Sequence, residues 1–241
     1  MSPPLAVIFG AGPGTGAAIA RALAPTHALV LLSRSLPGSL AKLELKVPDD
    51  RVLAATFDAK NSAASFKSAL EQARAKWPES TVDVGVCNAS VGFAPGPFLE
   101  RSTDDLRGNL EACAQAWDFS QAVIPAMLPA GGTLIFTGAT MAVRGGANFS
   151  AMAPGAFARR ALAQSLAREF GPQGIHVCHV VVDGLIDTAR VKGIMGDKAA
   201  TVEEGTRLEP DGIAQVYVDI VNQPRSTWTQ ELDVRPMKEK W

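Results

Sequence analysis

Two stretches of the chain carry residue types whose spacing suits binding chemistry. The first is Gly10-Ala-Gly-Pro13-Gly14-Thr15-Gly16, which follows the apolar run Leu5–Phe9 and opens into the helical run Ala17–Leu23. Glycines at these places let the backbone turn tightly and lie against a pyrophosphate, while the start of a helix offers free N–H groups and a positive dipole end. A glycine-rich string alone is weak, but its position between the first strand and the first helix gives it weight. The second stretch is Ser33-Arg34, where the next apolar run ends. A carboxylate there would accept the ribose hydroxyls of NAD, whereas an Arg accommodates the 2′-phosphate of NADP. The first acidic residue after Arg34 is Glu44, so the sequence favours NADP(H).

Motifs for other chemistries are missing. There is no Gly-x-Ser-x-Gly elbow, no His-Glu-x-x-His and no Cys-x-x-Cys, which leaves hydrolase and zinc readings without support. His27 precedes a strand, and His176 and His179 share one strand with opposite facing, so the three cannot converge on a metal. Cys87, Cys113 and Cys178 are widely spaced and odd in number, and they read as small core residues in a reducing compartment.

The elements that must position these residues alternate from end to end. Strands are expected at Leu5–Phe9, Ala28–Leu32, Arg51–Phe57, Val82–Cys87, Thr133–Thr137, Ile175–Val182 and Thr229–Val234, mostly apolar along their length as in parallel sheets covered on both faces. Helices are expected at Gly14–Leu23, Asn61–Trp77, Thr103–Met127, Phe149–Phe170 and Pro210–Asn222, with a short one near Ser39–Leu45. The order implies an α/β fold, a Rossmann-type, doubly wound parallel seven-stranded sheet in a single domain spanning 1–241, with ligands at the carboxyl ends of its strands. Leu185–Glu209 is mixed in polarity and weakly periodic, and is expected to be a substrate loop or lid.

Composition sets the wider limits. The chain has 241 residues, 47% hydrophobic and 20% charged, which is enough to bury a full core without disulfides or metal. Its 23 basic and 24 acidic residues give a formal charge of −1, so no global field attracts nucleic acid or anionic lipid. The first residues show no basic leader and no apolar run reaches the ~20 residues of a membrane span, so cytoplasm is the expected location.

With these residues in place, the chain resembles the short-chain dehydrogenase/reductase family over almost its whole length. The family's Gly-x3-Gly-x-Gly loop matches Gly10, Gly14 and Gly16, and its Asp after the third strand matches Asp58, followed by Ala59. Its Asn-Asn-Ala-Gly turn appears as Cys87-Asn88-Ala89-Ser90, and the Asn of its long central helix matches Asn109. Its Pro-Gly-x3-Thr segment beside the nicotinamide appears as Asp183-Gly184-Leu-Ile186-Asp-Thr188, and Thr137 ends the fifth strand. The resemblance implies that these residues line an NADP(H) site, that the substrate is a small molecule, and that the long helices join a homodimer or homotetramer.

The resemblance breaks at the chemistry. The family's Ser, Tyr and Lys fall at Ala139, Met152 and Ala156. The chain's one tyrosine, Tyr217, lies in an apolar helical stretch and is expected in the core, and no Tyr-x3-Lys exists. Loss of a general acid forfeits about 3 to 5 kcal/mol, while near-attack positioning can supply about 7 to 11 kcal/mol. A pocket without its acid can therefore still reduce an activated imine, iminium or carbonyl substrate of a biosynthetic pathway, the iminium ion meeting the condition best because the hydride neutralises its existing positive charge. Asp183 is the candidate for stabilising a cationic substrate or acting as substitute acid, its bland alternative being a turn cap, and Asn109 is the second catalytic candidate. Thr137, Thr140 and Ser150 bring hydroxyls without an evident base. Arg159 and Arg160 are expected to be surface or dimer-contact charges. Two alternatives to a reductase stay open: a non-catalytic NADP(H)-binding sensor, and a cyclase that uses the pocket as a template.

Overall fold

The computed structural model describes residues 2–89, 93–128, 130–196 and 203–239. Seven strands, β1 (Leu5–Phe9), β2 (Ala28–Ser33), β3 (Val52–Thr56), β4 (Val82–Cys87), β5 (Gly132–Ala139), β6 (Ile175–Val182) and β7 (Glu231–Val234), form one sheet in the order β3-β2-β1-β4-β5-β6-β7. Every pairing is parallel. The helices are α1 (Thr15–Leu23), α2 (Ser62–Lys76), α3 (Thr103–Met127), α4 (Ala153–Phe170), α5 (Ala189–Met195) and α6 (Pro210–Val221). The order reverses between β1 and β4, which opens a crevice at their carboxyl ends.

The two faces of the sheet explain why its strands are apolar throughout. Leu5, Val7 and Phe9 point into a cluster with Phe57, Phe66 and Phe119 on the side of α2, α3 and α4, while Ala6 and Ile8 pack with Ile19, Leu23, Ile213 and Tyr217 on the side of α1 and α6. Phe9, Phe57, Phe66 and Phe119 meet in tilted and edge-on pairs at 4.4 to 6.0 Å between ring centres. Each fully buried aromatic or branched aliphatic side chain contributes about 1.5–3 kcal/mol.

Local chemistry sets the helix ends. Ser102 caps α3 through a reciprocal box with Asp105, satisfying two amides that the first turn leaves without partners. The long α4 begins at Ala153, later than the expected Phe149, because Phe149–Met152 form turns and Pro154 suits the first helical turn. In place of the expected helix near Ser39–Leu45 there is a four-residue 3₁₀ turn, Leu40–Leu43.

The 185–209 segment is more regular than its polarity suggests. It contains α5, capped by the Thr188 hydroxyl, which accepts from the Val191 amide at 3.3 Å. An isolated parallel bridge ties Ile186 to Leu208, and Asp187 pairs with Lys192 at 2.9 Å and Arg207 at 3.1 Å. The central part of the expected lid, 197–202, lies outside the described residues.

Candidate active site

The glycine loop is shaped by contacts that leave no room for side chains below it and open space above. Gly10 has φ +92°, and a Cβ there would come within 2.4 Å of the Ala89 amide nitrogen. One on Gly16 would lie 2.3 Å from the Gly10 carbonyl oxygen, whereas one on Gly12 would meet nothing within 4 Å. Gly14, at φ +109°, is the N-cap of α1; no side chain caps the helix there and no acidic residue stands in its first turn. Free amides and positive dipole therefore face outward beside Pro13, Thr15 and the open surface of the loop, the arrangement that receives a phosphate.

Strand register brings the other predicted residues to the same edge. β1 and β4 pair through Phe9 and Cys87, so Asn88 arrives beside Gly10: its amide donates to the Phe9 carbonyl at 2.8 Å and its Nδ2 to the Gly10 carbonyl at 3.0 Å. Asn88 Oδ1 accepts from Thr137 Oγ1 at 3.0 Å, and Thr137 meets the Tyr217 hydroxyl at 2.7 Å. Tyr217 is fully buried, and burial pushes its phenol well above the ordinary range, so it is a core residue that keeps its proton and donates it to Thr137, whose own proton goes to Asn88. Ser33 and exposed Arg34 stand at the end of β2. Asp58 caps the 3₁₀ turn that contains Ala59, accepting from the Lys60 amide at 2.9 Å and Asn61 Nδ2 at 2.7 Å; the Asn61 bond leads in holding its carboxyl below the usual range. Gly184 has φ +150° and sits against Pro236, Ile186 joins the Leu208 bridge, and Thr188 approaches Gly14 from the far side of the crevice. Ser90 lies outside the described residues.

One residue beyond the ends of three adjacent strands, a polar chain takes shape. β5 and β6 pair to Ala139 and Val182, and β6 and β7 to Val182 and Val234. The register thereby places Thr140, Asp183 and Arg235 side by side. Thr140 Oγ1 donates to Asp183 Oδ1, and Asp183 Oδ2 pairs with Arg235 Nη1 at 2.7 Å. Asp183 is only 2% exposed, and its own amide donates to the Val234 carbonyl at 2.9 Å. Thr140 therefore has a carboxylate partner that sequence spacing did not reveal, and both Asp183 oxygens have partners beyond the neighbouring turn.

The resemblance sets the family's phenol and ammonium at Met152 and Ala156, both apolar. Met152 is buried at the start of α4, and Ala156 follows in the first turn. Asn109 spends its side-chain N–H on the Asp105 carbonyl at 2.9 Å, while its own carbonyl lies against Gly155, where a Cβ would come within 2.3 Å. Of the two arginines, the first departs from expectation and the second, partly exposed, does not. Arg159 is 8% exposed and donates to the carbonyls of Ala89 at 2.9 Å, Thr137 at 3.3 Å and Ala112 at 3.3 Å. Arg160 grips both oxygens of Glu231 at 2.6 Å, and Glu231 also holds His179 Nδ1 at 2.9 Å. Spacing from Ala156 alone suggested a surface position for both. Arg159 instead continues the inward stripe of Met152, Ala156 and Ala163, at helical intervals of four, three and four.

A family model described as enoyl-(acyl carrier protein) reductase matches residues 10–222, which hold the glycine loop and five of the seven strands, β2 to β6. The chain belongs to the short-chain dehydrogenase/reductase family. It is 26% identical over 234 residues to carbonyl reductase family member 4 of Danio rerio, covering 92% of this chain and 93% of that protein. A solved short-chain dehydrogenase from Rhodopseudomonas palustris is 28% identical, with a TM-score of 0.75 over 97% of this chain and 98% of that one. An alcohol dehydrogenase from Thermococcus sibiricus, solved with 5-hydroxy-NADP, shares the fold at 23% identity and a TM-score of 0.79, covering 98% of each chain. As a short-chain dehydrogenase/reductase, the chain falls in the class of NAD(P)-dependent oxidoreductases. Among the described residues no helix is long and apolar enough to cross a membrane, and no group of three His, Cys, Asp or Glu is arranged to hold a metal ion.

Proposed function

We propose that this protein is an NADP(H)-dependent reductase that delivers hydride to a small, already activated imine or iminium. The cradle fits a dinucleotide: its phosphates over Gly12 and the start of α1, its 2′-phosphate beside Ser33 and Arg34, its adenine near Asp58 and Ala59. Asn88, Ala89, Thr137, Gly184, Ile186 and Thr188 border the remaining length, with Ser90 assigned by sequence alone. When bound, NADPH supplies the hydride; the chain's own residues orient the acceptor.

The observation that carries the substrate class is the direction of the Thr140 hydrogen bond. A hydroxyl has one proton to give and two lone pairs to offer. Thr140 gives its proton to Asp183, whose second oxygen is fixed by Arg235. At the place next to Ala139, where the family's serine would stand, the site thus presents a hydrogen-bond acceptor. An iminium N–H can donate to it, and reduction of the iminium needs no proton from the protein. A ketone needs a donor at its oxygen, and Met152 and Ala156 supply none. Asp183 acts here as a positioning residue, holding the Thr140 proton inward, and Asn109 supports the α3–α4 contact beneath the site.

We propose further that the chain forms a homodimer or homotetramer in the cytoplasm through α3 and α4, whose exposed Leu110, Trp117 and Phe157 suit an apolar contact.

The test is NADPH oxidation followed at 340 nm with a panel of preformed cyclic imines and the matching ketones. Turnover of imines with inert ketones supports the reading, and Thr140→Val should then raise KM for the imine while leaving NADPH affinity unchanged. Turnover of ketones alone overturns the substrate class. Absence of NADPH binding overturns the reading as a whole, and rearrangement without NADPH consumption selects the cyclase.

A further inference from the structure

Arg159 presents an energetic problem that its role in packing does not solve. A guanidinium taken out of water costs several kcal/mol unless an anion or a full set of acceptors compensates it. Its recorded partners, Ala89, Thr137 and Ala112, are all neutral backbone carbonyls, and no carboxylate pairs with it among the described residues. The other charges along this edge are neutralised close by: Asp183 and Asp233 face Arg235, and Glu231 faces Arg160. The surplus negative charge on Arg235 belongs to Asp233, which is 43% exposed to water, so among the buried groups Arg159 is the cation left without a carboxylate, behind the carbonyls of the two strand ends that Asn88 and Thr137 join.

Its place on α4 is informative as well. The inward stripe that reads Met152, Ala156, Arg159 has lost the family's phenol and ammonium at its first two positions and carries a cation at the third. The third side chain is long enough to bring that charge back under the strand ends, where its Nη1 reaches Ala89 and Thr137.

We infer that Arg159 sets the redox preference of the cofactor site: its buried, unneutralised charge makes the site favour NADPH, whose nicotinamide ring is neutral, over NADP⁺, whose ring is cationic. This inference rests on the NADP(H) cradle proposed above. The two cofactor forms carry the same phosphates and adenine, so contributions of Arg34 and the α1 amides cancel in the ratio of their affinities. What remains is the effect of the protein's field on one ring charge. An unscreened unit charge acting across a protein interior is expected to change that ratio on the order of tenfold.

The experiment measures dissociation constants for NADPH and NADP⁺ by isothermal titration in the wild type and in Arg159→Met, Arg159→Gln and Arg159→Lys, with circular dichroism and thermal unfolding of the free proteins as fold controls. The wild type should bind NADPH about tenfold tighter. The two neutral variants should bring the ratio below about threefold, chiefly by tightening NADP⁺, and Arg159→Lys should restore most of the preference. Gln keeps an N–H for the Ala89 carbonyl and serves if Met prevents folding. A wild-type ratio near one overturns the inference by itself, whatever the variants do, and so does a folded neutral variant that keeps the wild-type ratio. Equal binding of both forms would leave the cradle standing and remove only the role of Arg159, whereas binding of neither form would remove the cradle.

Discussion

Replacing Asp183 by Asn tests the polar chain that joins the ends of β5, β6 and β7. The substitution keeps the shape of the side chain and an oxygen for Thr140 but removes the charge that faces Arg235 at 2.7 Å. Breaking a buried ion pair from one side typically costs about 3–5 kcal/mol, because the surviving charge is left without compensation. The cost is lower here, since Arg235 retains Asp233 at 2.8 Å, and that second carboxylate is 43% exposed. About 2–3 kcal/mol of stability should be lost. For a chain of this size that corresponds to a fall in Tm of roughly 5–10 °C, measurable by calorimetry and by urea unfolding at neutral pH. Asp233→Asn leaves the buried pair intact and should cost under about 1 kcal/mol. If Asp183→Asn unfolds within a degree of the wild type, the ion pair contributes no net stability and the account of this corner is wrong.

Other perturbations separate fold from ligand. Gly12→Ala meets open space and should leave Tm within about 2 °C while weakening NADPH by tenfold or more, whereas Gly10→Ala forces a side chain into the Ala89 backbone and should cost the fold itself, as circular dichroism would show. Arg34→Ala should weaken NADPH about tenfold or more and leave NADH unchanged; equal losses for both cofactors in fluorescence titrations would count against the 2′-phosphate assignment. The acid side of the stability profile follows from two depressed groups. Burial keeps His179 below its ordinary 6.5, and Glu231, led by its bonds to Arg160, sits below 4.5. Both therefore stabilise the fold fully above about pH 6.5, with the His179 part lost first as pH falls below that value and the Glu231 part below about 4.5. In His179→Leu the urea-unfolding free energy should vary less between pH 6.5 and 5 than in the wild type, and an unchanged slope would exclude the histidine as its source.

The layout of the sheet was legible because each strand is a closed apolar run bounded by turn residues, and the glycine loop announced the first crossover. What stayed hidden depends on register between distant segments. No spacing rule joins Thr140, Asp183 and Arg235; they meet because three parallel pairings end in step. Helix α5 escaped notice because seven residues give too little periodicity, although Thr188 three residues ahead of Val191 has the pattern of a capping hydroxyl. Arg159 was misplaced by measuring from Ala156 alone. Its distance of seven from Met152 and four from Ala163 marks the inward face, and that signal was present in the sequence.

The charge under the crevice also bears on how such a site can change over time. A lysine placed at position 156 would be set one helical turn from Arg159, with no carboxylate bound to Arg159 among the described residues to separate them. Like charges held that close in a dry interior oppose each other strongly. A lysine at 156 would therefore require the arginine to leave first, and its departure would take one donor each from the Ala89, Thr137 and Ala112 carbonyls. The guanidinium thus acts as a latch on position 156, which must stay neutral for as long as Arg159 remains in place.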